Sequence, residues 1–233
     1  KIIYGDKEIE FKGPYKWMTM KEAVRKYCHI EPCNEKELKT EVKKLGFDGT
    51  PDEMINFLFE EKVEADLIQP TFIVDYPKSI CPLTKEHRNN PELVERFELF
   101  VNGTEIANAY SELNNPLEQK ERLKKQIEDR QKSKKFKAHL EANEMDEDFV
   151  NAMKHGMPPA GGIGIGIDRL TMLLTNQPSI RDVILFPFMK PEGFQDVKEG
   201  KAKETKIEIV ILNKSSKMQL WQKLNFIGHL NAS

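Results

Sequence analysis

The sequence predicts an α+β fold, in which an antiparallel β-sheet is flanked by helices. Two features of its 233 residues indicate this class. Several strand-like runs follow one another, and an Asn102-Gly103 pair between two of them is typical of a tight hairpin turn. Three helix starts are grouped in one region, whereas a wound βαβ fold alternates its helices with strands. Hydrophobic residues make up 39% of the chain, which is enough for a buried core.

The first part of the chain begins with a predicted strand pair over residues 1–17, where apolar residues alternate loosely. Three helices follow it. Each begins at a capping residue with a glutamate three positions later, namely Thr19 with Glu22, Asn34 with Glu37 and Thr50 with Glu53. Residues 70–77 then predict a strand, and the polar residues 78–94 predict a loop.

The second part predicts a hairpin and then helices around a glycine-rich strand. The hairpin strands lie around Phe97–Val101 and Glu105–Glu112. The later elements are helices over 116–137 and 146–155, a Gly-Ile alternation over 161–167, a helix at 170–174 and a last core strand at Val183–Phe186. Trp17 is interpreted as a core residue.

The sequence divides into a main domain over residues 1–191, a polar linker over 192–205 and an appended unit over 206–233. The linker is rich in lysine and glutamate, which is typical of a solvated connection. The appended unit contains a strand-like and then a helix-like segment, and its type is open.

Composition narrows the function classes. The net charge of -2 argues against a protein whose whole surface binds nucleic acid. The chain has no apolar stretch of membrane-spanning length, so no membrane partner is expected. Its three cysteines form no regular framework and indicate a reducing compartment, which favours a cytoplasmic protein. Cys28, His29 and Cys33 are close enough to suggest a metal site, but ordinary thiols are the favoured interpretation because further ligands are missing.

The predicted hairpin carries the first group of candidate functional residues. Glu98 and Glu105 can face each other across it, and a bound Mg²⁺ would relieve their repulsion. Alternation along the second strand puts Asn108, Tyr110 and Glu112 on one face, which suits a ligand with a terminal ammonium group. The alternative is a polar strand edge that faces solvent.

The second group is the glycine run that ends in Asp168-Arg169. Glycine allows a flat ligand to approach the backbone, and Arg169 can stack on a purine and reach phosphate oxygens. The run lacks the spacing of a dinucleotide-binding loop or a Walker loop. A glycine-rich strand in a tightly packed core is the alternative.

These segments resemble class II lysyl-tRNA synthetases. The run from Glu98 to Pro116, which includes Glu-Ile-Ala-Asn-Ala-Tyr-Ser-Glu-Leu-Asn-Asn, looks like their amino-acid-binding hairpin. Met157–Arg169 looks like their motif 3, and Ser179–Pro187 resembles the segment that closes their catalytic domain. The resemblance spans roughly residues 1–191, so it is more specific than either group of residues alone.

The resemblance implies a ligase that activates L-lysine with ATP and Mg²⁺ and transfers it to tRNA(Lys). Glu98 and Glu105 would hold the magnesium on ATP, and Glu105 with Ile106 would lie against the nucleotide. Asn108 would help to hold the lysine carboxylate. Tyr110 and Glu112 would recognise the ε-ammonium of lysine.

Motif 3 would form the other wall of the ATP site. The residues implied there are Gly166, Ile167, Asp168 and Arg169, with Arg169 as the catalytic residue that stacks on adenine near the γ-phosphate. We expect Glu98, Glu105, Asn108, Tyr110, Glu112 and Arg169 to share the concave face of the sheet, with the helices behind it.

The sequence departs from the family pattern because motifs 1 and 2 and the anticodon-binding domain are missing from these 233 residues. We therefore expect this part to be inactive alone, and the family's homodimer to be a property of the full-length enzyme. A non-catalytic interaction module and a lysyl transferase that acts on elongation factor P are the alternatives.

Overall fold

A computed structural model describes residues 1–132 and 145–188 of the chain. The described residues up to Pro187 belong to one compact unit. The predicted linker over 192–205, the appended unit over 206–233 and the end of the helix predicted over 116–137 lie outside the described residues.

The unit contains eight named strands and six helices among the described residues. The strands are β1 (Ile2–Tyr4), β2 (Lys7–Ile9), β3 (Lys16–Thr19), β4 (Thr71–Pro77), β5 (Glu86–His87), β6 (Asn90–Val101), β7 (Thr104–Ser111) and β8 (Gly161–Ile165). The helices are α1 (Met20–Cys28), α2 (Glu35–Lys44), α3 (Pro51–Lys62), α4 (Pro116–Lys132), α5 (Glu147–Lys154) and α6 (Ile167–Thr175).

The first three helices begin where their capping residues predict. The Thr19 and Thr50 hydroxyls accept hydrogen bonds from the backbone N–H of Glu22 and Glu53, and both glutamates bond back to the cap. The Asn34 side chain accepts from the second and third N–H groups of α2. Each cap satisfies backbone donors that the first helical turn leaves without a partner, so local chemistry alone fixes these starts.

The main sheet has the strand order β3-β4-β6-β7-β8, and β5 pairs with one end of β6. All its pairs are antiparallel except β3 with β4, which are parallel because α1, α2 and α3 form the crossover between them. The α+β class is confirmed, with one parallel pair at the edge of the sheet. The predicted strand pair over residues 1–17 corresponds to a separate hairpin of β1 and β2, followed by β3.

The turn between β6 and β7 is the one that Asn102-Gly103 predicts. Both residues have positive φ, 51° and 70°, as a type I′ hairpin turn requires. The backbone N–H groups of Asn102 and Gly103 donate to the carbonyls of Ile68 and Leu67, at 2.9 and 3.0 Å. The hairpin tip is therefore bonded to the segment that follows α3.

The loop prediction for residues 78–94 is only partly correct. The segment contains a 3₁₀ turn at Lys78–Ile80, strand β5, and the first residues of β6 from Asn90 onward. These first β6 residues are polar and exposed because this end of the strand extends beyond the core. Because these residues are polar, the sequence predicted a loop where the backbone is in fact paired in a strand.

Two apolar predictions near the ends of the unit are wrong. Val183–Phe186 follows a 3₁₀ turn at Ile180–Asp182 and is not a strand, and Leu185 and Phe186 are 90% and 92% exposed. Trp17 is also exposed, although its ring stacks on Phe72 with 4.3 Å between centroids. A short apolar run shows a need for burial without showing which surface provides it.

Two clusters of buried side chains cover parts of the two sheet faces. On one face, α1, α2 and α3 pack on residues that include Met18, Ile73 and Phe100. Ile73 is the direct cross-strand partner of Glu98, so these helices stand on the same face as Glu98. The expectation that the helices lie behind the candidate residues is therefore wrong for α1, α2 and α3.

The second cluster joins α6 to the N-terminal hairpin. Leu173 of α6 packs with Ile9, Val101 and Ile106. The Tyr4 hydroxyl donates to the Gln177 carbonyl at 2.8 Å, and the Gly5 N–H donates to the Asn176 side chain at 2.7 Å. In the part of the chain that is described, no helix is long and apolar enough to cross a membrane.

Replacing Gly103 with alanine tests how much the hairpin tip depends on its close approach to the chain after α3. A Cβ at Gly103 would lie 3.1 Å from the Ala65 Cα, and its φ of +70° is strained for alanine. We expect Gly103→Ala to lower the free energy of unfolding by about 2–3 kcal/mol in urea denaturation. Gly5→Ala is the matched control, because Gly5 has a φ of +60° with no atom within 4 Å of its added Cβ. Equal losses for the two variants would show that the contact contributes nothing.

Candidate functional site

The register of β6, β7 and β8 places the polar residues of the hairpin on one face. Glu98 pairs with Asn108, and Asn108 pairs in turn with Gly164. Tyr110 pairs with Gly162. Gly162 and Gly164 have no side chains, so they leave this face open above β8. Directly paired residues point to the same side of a sheet, so Glu98, Asn108 and Tyr110 share one face.

Glu112 belongs to the same face, beyond the end of β7. A methyl group added at Gly162 would collide with the Glu112 carboxylate, so that carboxylate lies directly over the glycine. Both Glu112 and Tyr110 are half-buried. The carboxylate and the phenol are thus accessible to a small ligand yet partly shielded from water.

The structure corrects the expected pairing of the two glutamates in the hairpin. Glu105 pairs with Phe100, and Glu98 pairs with Asn108 because a register shift between Leu99 and Phe100 leaves Ile106 without a direct partner. Burial raises the pKa of Glu98; the adjacent Arg96 opposes this rise and the Glu105 charge adds to it. The two carboxylates therefore interact, although they do not oppose each other across the ladder.

Arg169 joins the start of α6 to this hairpin. Its Nη1 donates to the Glu105 backbone carbonyl at 2.9 Å and to Glu105 Oε2 at 3.2 Å. Gly166 is the N-cap residue of α6, and its N–H donates to the Ile106 carbonyl at 2.9 Å. These bonds bring the glycine run and the hairpin together at one end of the polar face.

A cavity of about 360 Å³ lies where these two segments meet. Five residues predicted for nucleotide binding line it, namely Glu105, Ile106, Gly166, Asp168 and Arg169. Asn108 lines it as well, so it stands between this cavity and Tyr110. Ile167 is not among the lining residues, and its side chain is 66% exposed. The cavity also includes Gly164, Ile165 and Ile180, which sequence reasoning did not select.

Sequence reasoning also missed Arg96. Its Nε donates to Asn108 Oδ1 at 3.2 Å, its Nη1 contacts Cys81 Sγ at 3.1 Å, and its Nη2 pairs with Glu98. The Tyr76 hydroxyl donates to the other oxygen of Glu98 at 2.6 Å. The sequence did contain a signal for Arg96. It lies two residues before Glu98 on the same strand, and period-two spacing puts both side chains on one face.

Glu64, in the 3₁₀ turn after α3, adds another acid to this region. Its pKa is raised to about 7, first by burial and then by the charges of Glu60, Glu98 and Glu105, while Arg169 opposes the rise. Glu64, Glu98 and Glu105 thus interact with one another, and Arg96 and Arg169 offset part of their repulsion. A cation placed near Glu98 and Glu105 would reduce this repulsion.

The donor set fits a divalent cation that brings further oxygen ligands with it. Among the described residues, no three His, Cys, Asp or Glu side chains are grouped as a complete metal site. Mg²⁺ commonly binds one or two carboxylates together with substrate phosphates and water. Glu98 and Glu105, beside a cavity lined with backbone and Arg169, supply that number of carboxylates.

A larger cavity of about 530 Å³ opens elsewhere on the sheet. Its lining combines Glu95, Phe97, Ala109 and Ser111, which period-two alternation puts on the opposite face, with Arg96, Tyr110 and Gly162 of the site face. The smaller cavity is the nucleotide candidate because five residues predicted for nucleotide binding line it, whereas none of the predicted nucleotide-binding residues lines the larger one.

Comparison with known proteins gives a consistent result. Residues 1–190 match the family described as tRNA synthetases class II (D, K and N). A lysine–tRNA ligase of Porphyromonas gingivalis is 51% identical over 206 residues, covering 85% of this chain and 35% of the relative. Lysine–tRNA ligases of Trichormus variabilis and Clostridium acetobutylicum are 48% and 49% identical, covering 82% and 84% of the chain and 35% and 39% of those relatives. The chain thus spans little more than a third of the length of these relatives.

The raised pKa of Glu64 gives stability a predictable dependence on pH. Between the unfolded pKa of 4.5 and the folded pKa of about 7, the folded state binds the additional proton, so stability falls as pH rises through this window. We expect Glu64→Gln to flatten this fall and to be more stable than the parent at pH 8 by about 1–2 kcal/mol, after allowance for solvent screening.

Urea denaturation at pH 5, 6 and 8 measures the effect, with the exposed neighbour Glu61→Gln as the control. Parallel stability curves for the parent and Glu64→Gln would contradict the prediction.

Proposed function

Because the chain belongs to the class II tRNA synthetase family of the D, K and N type, we propose that it supplies the lysine- and ATP-binding region of a lysine–tRNA ligase. One observation carries the proposal: a single sheet face has Glu112 and Tyr110 at one end and the cavity beside Arg169 at the other, with Asn108 between them. The names of the similar ligases support lysine as the amino acid.

The spacing of the hairpin suits an extended amino acid. Asn108 and Glu112 are four residues apart, about 13 Å between Cα atoms at the usual rise of a strand. Side chains that reach toward each other leave room for lysine between them. The Glu112 carboxylate would pair with the ε-ammonium group, and the Tyr110 ring would contact the aliphatic chain or the cation. Asn108 would bind the α-carboxylate at the edge of the nucleotide cavity.

The reaction joins the two ends of this face. A lysine carboxylate oxygen attacks the α-phosphorus of ATP, the bond to the β-phosphate breaks, and pyrophosphate leaves with the electron pair. A hydroxyl of the terminal ribose of tRNA(Lys) then attacks the carbonyl carbon of the lysyl-adenylate, and AMP leaves with the electron pair of the broken bond. Arg169 would stack on adenine and stabilise the charge that develops on the leaving phosphates. The Glu105-Ile106 backbone and the Gly166–Asp168 segment would hold the nucleotide.

Glu98 and Glu105 are the residues that would hold Mg²⁺, which, when bound to ATP, neutralises phosphate charge. Arg96 and Tyr76 already bond the Glu98 carboxylate and limit its rotation. Arg169 likewise limits Glu105. These protein contacts therefore fix the orientation of both carboxylates.

Two further parts of the proposal concern partners and location. We propose a homodimer, because Leu185, Phe186 and Ile163 expose large apolar side chains that a subunit contact would cover. We also propose that the protein acts in the cytoplasm, since no disulfide joins Cys28, Cys33 or Cys81.

Glu112→Gln tests the proposed amino-acid pocket in the protein that contains this sequence. The exchange removes the charge and retains the shape, so lysine affinity should fall about tenfold or more while ATP affinity stays nearly unchanged. Calorimetric titration with each ligand measures the two affinities separately. Unchanged lysine affinity would show that Glu112 does not contact the substrate, and equal losses would indicate damage to the hairpin.

Gly162→Ala provides a matched variant that keeps every carboxylate group in the sequence and changes only the position of one. The added methyl group meets only the end of the flexible Glu112 side chain, so it should displace the carboxylate with little loss of stability. Its lysine affinity should therefore fall in the same direction as that of Glu112→Gln.

Residues 1–233 alone should not activate lysine. Charge on both sides of the α-phosphate must be stabilised as pyrophosphate leaves. Arg169 serves one side, and the motif 2 arginine implied for the other side by the family resemblance is not in this sequence. Lysine-dependent exchange of labelled pyrophosphate into ATP is the assay, with the complete relative from Porphyromonas gingivalis as the positive control. Exchange by residues 1–233 at a rate comparable to that control would refute the proposal.

A further inference from the structure

Arg96 occupies the centre of the polar face, although no proposed ligand contact involves it. Its side chain is only 20% exposed. Its guanidinium donates through Nε to Asn108, contacts the Cys81 thiol through Nη1 and pairs through Nη2 with Glu98. Its carbon Cζ lies 4.7 Å from the centre of the Tyr76 ring. Three nitrogens and the face of the group are thus engaged at once, so its orientation is fixed by several independent contacts.

The contact between Arg96 and Asn108 determines which way the Asn108 amide points. A guanidinium group has five N–H donors and no acceptor. Only the oxygen of an asparagine side chain can therefore face it, and the Nε–Oδ1 distance is 3.2 Å. The amide nitrogen must then point elsewhere, and Asn108 lines the cavity beside Glu105 and Arg169. An amide turned the other way would place two N–H groups against the donors of Arg96.

We propose that Arg96 is a positioning residue that fixes the polarity of Asn108, so that this side chain presents a donor to the substrate carboxylate. The inference rests on the proposed function and deepens it by assigning how the site distinguishes the two ends of lysine. Lysine carries an ammonium group at each end but a carboxylate at only one. An acceptor at Asn108 would repel that carboxylate and attract either ammonium group, which would allow the molecule to bind in reverse.

The guanidinium group of Arg96 also connects the orientation of Asn108 to Glu98, the proposed ligand of the magnesium on ATP. Arg96 Nη2 pairs with the Glu98 oxygen that Tyr76 does not bond. Asn108 and Glu98 are direct cross-strand partners. Arg96, two residues before Glu98 on the same strand, therefore contacts both members of the pair. Lysine in place of Arg96 would carry the charge but could not reproduce this planar arrangement of donors.

The test compares L-lysine with L-lysinamide, in which a neutral amide replaces the carboxylate. Calorimetric titration of the protein that contains this sequence should show tighter binding of lysine than of lysinamide. In Arg96→Gln the neighbouring amide no longer forces Asn108 into one orientation, because glutamine can donate or accept. Lysine affinity should then fall about tenfold or more, the usual range for a hydrogen bond to a charged group. Lysinamide affinity should change less than twofold.

Arg122→Gln is the matched control. Arg122 is as well buried, with 13% of its side chain exposed, and it bonds the Cys81 and Thr84 carbonyls and pairs with Glu118. Its loss should lower stability without changing the ratio of the two affinities. Asn108→Asp is the second variant, because it can retain the Arg96 contact while the other oxygen presents an acceptor to the ligand. It should lose lysine affinity selectively, even if Arg96→Gln does not fold.

The outcomes separate the two proposals. A parent protein that binds neither lysine nor lysinamide overturns the proposed function, and the role of Arg96 with it. A parent that prefers lysine, combined with an unchanged affinity ratio in both Arg96→Gln and Asn108→Asp, overturns the role of Arg96 alone. Equal weakening of both ligands in these variants also overturns it, since a general structural role affects both.

Discussion

The candidate site depends on the register of the β6–β7 hairpin. The Asn102-Gly103 turn fixes where pairing begins, and the shift beside Phe100 then changes which residues oppose each other. Because of that shift, Asn108 and not Ala107 pairs with Glu98. Glu105, on the turn side of the shift, meets Arg169. A one-residue slip would send Asn108 and Tyr110 to the other face of the sheet. The glycines of β8 matter only because this register brings them beside those side chains.

Charge explains why the site is both costly to fold and suited to its ligands. Glu64 and Glu98 have raised pKa values because burial and neighbouring acids disfavour their charged forms. Arg96 and Arg169 offset part of this repulsion through direct contacts with Glu98 and Glu105. The negative charge that remains favours cationic ligands. The carboxylates of the site therefore lower the stability of the fold and at the same time raise the affinity for cations.

Short-range chemistry made much of the fold predictable from the sequence. Helix caps such as Thr19 and the Asn102-Gly103 turn act within a few residues, and the structure has both where the sequence indicated. The shift at Ile106, the position of α1, α2 and α3 on the site face, and the role of Arg96 depend on residues far apart in the chain. The exposed Leu185 and Phe186 show the same limit, since hydrophobicity does not identify the covering surface.

The contacts of the N-terminal hairpin have a consequence for synthesis on the ribosome. Tyr4 and Gly5 bond to Gln177 and Asn176, which are more than 170 residues later in the chain. At about 5–20 residues per second, the first strands emerge on the order of ten seconds or more before these partners exist. The apolar side of Ile9 therefore stays without Leu173 throughout that interval. This unit must finish folding late, and chaperones have a long period in which to bind its first hairpin.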